Sequence, residues 1–179
     1  MKMTHMKIGD NAPAFNLLGT DNAMHSLEEF TKNILIIIFS CNHCPTVIAY
    51  EQRMINIQKD YLNKSVSMIA INSNDEKNYP EDSLDKMVER YKNQGYNFTY
   101  LRDQDQSIAK AYGATHTPEI FIFDQDRKLR YHGRIDDNRD EPNKVNKKYV
   151  RDALDALIND NPISIETTHS IGCTIKWSD

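Results

Sequence analysis

"ILIIIFSCNHCPTV", residues 34–47, decides the fold. The run from Ile34 to Phe39 is β-branched and continuous, which predicts a strand buried on both faces. Val47, Tyr50, Met54, Ile57 and Tyr61 then recur at helical spacing, so a long helix is predicted to begin in or just after Cys41-Asn42-His43-Cys44. The two cysteines therefore sit where a buried strand hands over to a helix. Three readings are open for them: a redox dithiol, half of a metal site, or two buried thiols.

Outward from that stretch the elements alternate. "SVSMIAIN", residues 65–72, is a second buried strand. The polar loop "SNDEKNYPEDS" ends in Asp82 or Ser83 as a helix cap, and Leu84, Met87, Val88 and Tyr91 mark a helix closed by Gly95. "NFTYL" predicts a short strand, and "DQSIAKAYG" a helix ending at Gly113. "EIFIFD" and "KLRYHGR" flank a polar turn as a hairpin, and a last helix carries Val150, Leu154, Leu157 and Ile158. Strands alternating with helices, then a hairpin and a closing helix, describe an α/β protein: a central sheet with helices on both faces. Charge at Glu51 and Arg53, and at Arg134, Asp136 and Asp137, reads as surface charge.

Composition bounds the rest. The 179 residues suit one domain, and 39% hydrophobic content with 9% aromatics fills a core without staples. Residues 1–15 lack the apolar stretch of a signal peptide, and Ile34–Phe39 is too short to cross a bilayer, so a soluble, cytoplasmic protein is expected. A net charge of −4 without a basic cluster argues against nucleic acid or membrane partners. Three cysteines are too few for a disulfide framework, and in a glutathione-buffered compartment a Cys-x-x-Cys points to catalysis or metal.

The carboxyl end of a central strand is where open α/β sheets place their sites. At a helix N-terminus, unpaired amides and the positive end of the dipole lower the pKa expected of Cys41, and Cys44, one turn further in, reaches back to close a disulfide. Pro45 suits the first helical turn. No second ligand pair follows to complete a four-ligand zinc site, and Pro45 stands where haem attachment needs histidine.

With "IGDNAPAF", "CNHCP", "INSND", "YPEDS", "YGATHTPEIFIFD" and "SIGCTIKW", the chain resembles the peroxiredoxin-like, AhpC/TSA-type redoxins of the thioredoxin superfamily over nearly its whole length. The resemblance implies a thioredoxin-like fold with a central mixed sheet. One domain then spans residues 1–179, with 1–33 as N-terminal extension and 160–179 as a docked C-terminal tail. It implies that Cys41 attacks, that Cys44 resolves, and that Pro118 is the cis-proline facing the dithiol. Asn42 and His43 support the pair from between the cysteines. His116 stands where close relatives often carry a cysteine, and His116 and Glu119 become the nearest candidates for proton transfer.

Three function classes follow. The first is a thiol–disulfide oxidoreductase acting on protein or small-molecule disulfides, needing a thiol electron donor and no cofactor. The second is a thiol peroxidase, disfavoured because Ile38 stands where peroxiredoxins proper have threonine. The third is a metal-handling protein using Cys41, Cys44 and His116. Cys173 reads as a small hydrophobe on an extended tail whose apolar face carries Ile171, Ile175 and Trp177. The competing reading makes it a third redox thiol that Gly172 lets approach Cys41.

Overall fold

The computed structural model describes residues 5–179; residues 1–4, where the stretch read for a leader begins, lie outside the described residues. Seven strands form one mixed sheet. They are β1 (Asn16–Gly19), β2 (Met24–Ser26), β3 (Ile34–Ser40), β4 (Val66–Asn72), β5 (Thr99–Arg102), β7 (Glu119–Phe123) and β8 (Leu129–Gly133), in the order β2-β1-β5-β4-β3-β7-β8. β3 runs parallel to β4 and antiparallel to β7, so it sits near the middle of the sheet with both edges paired. A separate two-stranded pair joins β6 (His116–Thr117) to β9 (Cys173–Thr174).

Every residue of β3 is buried, because its two faces feed two cores. Ile34, Ile36 and Ile38 pack with α1 (Pro45–Tyr61), α2 (Leu84–Gln94) and α4 (Tyr149–Ile158). Leu35, Ile37 and Phe39 pack with α3 (Ser107–Tyr112), with Phe15 and Leu17, and with Ile175 of the tail. Helices therefore cover both faces, and the strand's carboxyl end emerges between two dry layers, where backbone and side-chain polar groups must find protein partners.

The N-terminal segment supplies β1 and β2, which extend the sheet beyond β5. The tail is tied down in an extended form by Ile175 N–H to Thr115 O (2.9 Å) and Asp75 N–H to Lys176 O (2.8 Å). Ile175 is buried, but Ile171 is exposed, so the predicted apolar face is only partly used.

Two of the charges read as surface charge, Asp136 and Glu51, are buried. Asp136 is buried and accepts from Tyr50 Oη (2.9 Å) and Arg53 Nη1 (2.7 Å). Glu51 is buried and accepts from Arg90 Nε (2.5 Å) and Tyr96 Oη (2.6 Å). These side chains meet partners from distant segments, which removes the cost of burying an unpaired charge.

Candidate active site

Cys41 follows directly on β3, and Cys44 is the N-cap of α1 with Pro45 as its first helical residue. The helix thus starts just after the pair, so the residue at its terminus is Cys44 and not Cys41. Both thiols are buried, at 1% and 0% exposure.

The loop between them is held by a carboxylate that the sequence reading gave only a capping role. Asp82 is fully buried and accepts on Oδ1 from Asn42 N–H (2.6 Å) and Asn72 Nδ2 (3.0 Å). Its Oδ2 accepts from Asn74 Nδ2 (2.8 Å) and lies 2.5 Å from His43 Nδ1. The cap of α2 is Ser83. Asn42 also donates to Glu81 O (2.8 Å) and accepts from Tyr100 Oη (2.9 Å), while His43 stacks on Tyr79 with centroids 5.4 Å apart. A network with each member satisfied fixes the Cys-x-x-Cys loop as a unit.

On the opposite side stands the Thr117–Pro118 cis peptide. Thr117 Oγ1 lies 3.4 Å from Cys41 Sγ, and Thr117 O lies 3.3 Å from Cys44 Sγ. Next to it, Glu119 is buried and accepts from Thr115 N–H (2.7 Å) and His116 N–H (2.9 Å), with His132 Nε2 2.6 Å away. The His116 ring sits 2.8 Å from Thr115 Oγ1. Among the described residues no hydrogen bond joins His116 or Glu119 to a thiol. Their hydrogen bonds brace the proline loop.

The third cysteine arrives with the tail. Cys173 pairs with Thr117 across β6 and β9, and its Sγ is 2.9 Å from Cys44 Sγ, so its neighbour is Cys44 rather than Cys41. Three thiols therefore make one cluster with Cys44 at its centre.

The electrostatics of that cluster reverse one expectation. The Cys41 thiol is pushed up by its hydrogen bond to Cys44, by burial and by the nearby Asp82 carboxylate. Cys44 is pulled down by the hydrogen bond from Cys41, which outweighs burial, and further by Cys173 and the amides of Val47 and Cys173. The helix N-terminus thus acts on Cys44, the residue that caps it. Cys173 is pushed up to about 11 by burial and by the Cys44 charge it faces.

The metal set of Cys41, Cys44 and His116 is not what the fold assembles. The ligating atoms that do come together, within 4.8 Å of one another, belong to Cys41, His43 and Asp82. Each Asp82 oxygen already has two partners there, so the carboxylate is committed to the loop. Asp82, Asn72, Asn74 and Thr117 are the site residues the sequence reading missed. Their one local signal is Asn72-Ser73-Asn74, a polar triplet at the carboxyl end of a buried strand beside the one bearing Cys41.

The chain matches the Redoxin family over residues 7–149. An uncharacterized conserved protein from Geobacillus kaustophilus is 41% identical, with a TM-score of 0.92 over 96% of this chain and 93% of that one. A hypothetical protein from Sinorhizobium meliloti 1021 is 36% identical, with a TM-score of 0.92 over 98% and 97%. The thiol-disulfide oxidoreductase ResA of Geobacillus thermodenitrificans (strain NG80-2) is 24% identical over 71% of this chain and 69% of its own. The fold is thioredoxin-like. The thiol cluster lies at the carboxyl end of β3, within the matched span except for its third sulfur on the tail, and the chain belongs to the redoxin family.

Proposed function

We propose that this redoxin is a thiol–disulfide oxidoreductase working through the Cys41–Cys44 couple. The observation that carries the reading is geometric: Cys41 at the end of β3 and Cys44 as the cap of α1 are both buried against the Thr117–Pro118 cis peptide, with Cys44 the member whose pKa is lowered. In thiol–disulfide exchange the sulfur that leaves most easily is the one with the more stable thiolate. Leaving-group stability therefore directs a thiolate from a partner molecule to Cys41 of a Cys41–Cys44 disulfide, and Cys44 leaves.

By reversal, a partner disulfide is reduced at Cys41. The Cys41 proton passes to Cys44, the Cys41 thiolate attacks the partner sulfur, and the partner's first sulfur leaves as a thiolate that takes the proton from Cys44 and departs as a thiol. The Cys44 thiolate then attacks Cys41 Sγ, which frees the second partner thiol and leaves the Cys41–Cys44 bridge. This agrees with the order implied by the family resemblance, although the lower pKa belongs to the resolving cysteine. In a cytoplasmic setting a thiol donor returns the pair to the reduced form.

Peroxide reduction is a weaker fit. A sulfenate at Cys41 would carry charge beside Asp82, and among the described residues one side-chain hydroxyl, that of Thr117, accompanies Cys41 Sγ.

Hydroxyethyl disulfide tests the reading. A Cys44→Ser variant should accumulate a mixed disulfide on Cys41, located by mass spectrometry after alkylation, and both Cys41→Ser and Cys44→Ser should lose about a hundredfold or more of turnover. Turnover within about threefold of wild type in either variant would sink the couple as the reactive centre.

A further inference from the structure

We propose that Cys173 is the thiol through which the electron donor reaches the buried couple, so that the protein exchanges sulfur partners at two ports. This rests on the Cys41–Cys44 reading above. Cys41 and Cys44 are 1% and 0% exposed, whereas Cys173 is half-buried and is the cluster member that solvent reaches. It is not an isolated thiol: its sulfur stands 2.9 Å from Cys44 Sγ.

The tail is built to hold it there. β9 takes the backbone edge of His116–Thr117, directly before the cis-proline. A Cβ on Gly172 would come within 2.0 Å of Thr117 O, so only a residue without a side chain lets the backbone come this close. Beyond the cysteine, Lys176 N–H donates to Asn74 Oδ1 (2.9 Å) and Gln106 Nε2 donates to Lys176 O (2.8 Å). Asn74 is the residue that also holds Asp82, so one side chain pins the tail and the Cys-x-x-Cys loop together.

The chemistry is an internal exchange followed by reduction from outside. The Cys173 thiolate attacks Cys44 Sγ, the sulfur of the Cys41–Cys44 disulfide that it touches, so for this internal step contact and not leaving-group stability selects the sulfur attacked. The Cys44–Cys173 bond forms, the Cys41–Cys44 bond breaks, and Cys41 takes up the proton that Cys173 gave up. A donor thiolate then attacks the half-exposed Cys173 sulfur, and Cys44 departs as the thiolate its surroundings stabilise. A second donor thiol attacks the donor sulfur, releases donor disulfide and restores Cys173. Two donor thiols are oxidised and one protein disulfide becomes two thiols. Substrate must uncover Cys41, but the donor need not.

Glutathione serves as the probe. Protein oxidised to the Cys41–Cys44 bridge is mixed with it, quenched in acid and counted for free thiols over time. Wild type should be reduced about tenfold or more faster than Cys173→Ala and Cys173→Ser; equal rates would overturn the proposal. A Cys41→Ser variant under mild oxidant should form the Cys44–Cys173 bridge, seen as mutual protection from alkylation, and both thiols staying alkylatable would also overturn it. Cys173→Ala and Cys173→Ser should still form the Cys41–Cys44 bridge with hydroxyethyl disulfide. Failure of that bridge in both variants, with the fold intact by circular dichroism, would remove the dithiol reading and this proposal with it.

Discussion

Two buried carboxylates flank the thiol cluster, each beside an imidazole, and only one of them faces sulfur. Asp82 lies 2.5 Å from His43 Nδ1 and Glu119 lies 2.6 Å from His132 Nε2. Each also holds backbone amides of the loop it anchors: Asn42 for Asp82, Thr115 and His116 for Glu119. The difference is what lies beyond. The Asp82 charge acts on Cys41, while Glu119 spends its capacity on the turn before Pro118 and on His132. Identical pair chemistry thus serves the reactive loop on one side and the brace opposite it on the other, and proximity in sequence to Pro118 does not tell which is which.

Removing Asp82 should have the largest effect. Asp82→Ala orphans the donors of Asn42, Asn72 and Asn74 in a dry site, and a buried unsatisfied donor costs about 1–3 kcal/mol. A loss of about 3 kcal/mol or more in urea denaturation is expected. Asp82→Asn also removes the negative charge that disfavours the Cys41 thiolate. In a Cys44→Ser, Cys173→Ala background the alkylation profile of Cys41 should therefore move to lower pH. An unmoved profile would break the comparison, because Asp82 would then be a second brace.

Glu119→Gln should cost less and show a different pH signature. Burial opposes the Glu119 charge, but hydrogen bonds from His132, Thr115 and His116 outweigh it and hold the carboxyl below its usual range. A lowered folded pKa means stability that is complete above the unfolded value, about 4.3, and is lost as pH falls through the folded one. At neutral pH the variant should lose about 1–2 kcal/mol. That deficit should shrink below about pH 4, because wild type loses its advantage there. A deficit constant down to about pH 3 would show that the charge is not what braces the loop.

Much of this molecule is legible in its sequence because the decisive runs are saturated. β3, β4 and β7 are apolar runs buried on both faces, and amphipathic α2 and α4 announce themselves by spacing. β1 and β2 are short and partly exposed, so no period separates them from loop. In the site, Cys41 and Cys44 are contiguous and readable, but the start of α1 is set by Pro45, which moves the helix terminus from Cys41 to Cys44. Asp82 could not be read as the anchor of Asn42, forty positions away, because Asp before an apolar helical pattern looks like a cap. The pairings of Asp136 with Arg53 and of Cys173 with Cys44 are likewise set by tertiary approach and leave no local trace.

The smallest effect is expected at His116, and it sharpens the comparison most cheaply. The fold uses this residue through its backbone: it pairs with Thr174 and donates its N–H to Glu119. Its ring has Thr115 Oγ1 as a neighbour at 2.8 Å. His116→Ala keeps the backbone contacts, so stability should change by about 0.5 kcal/mol or less. Disulfide turnover should stay within about twofold of wild type with the same pH dependence. His43→Ala, which takes the imidazole from Asp82 and from the Tyr79 ring, should instead alter the pH profile. If His116→Ala moved the profile and His43→Ala left it alone, proton traffic would run through the proline loop, and the two carboxylates would have to exchange the roles given them here.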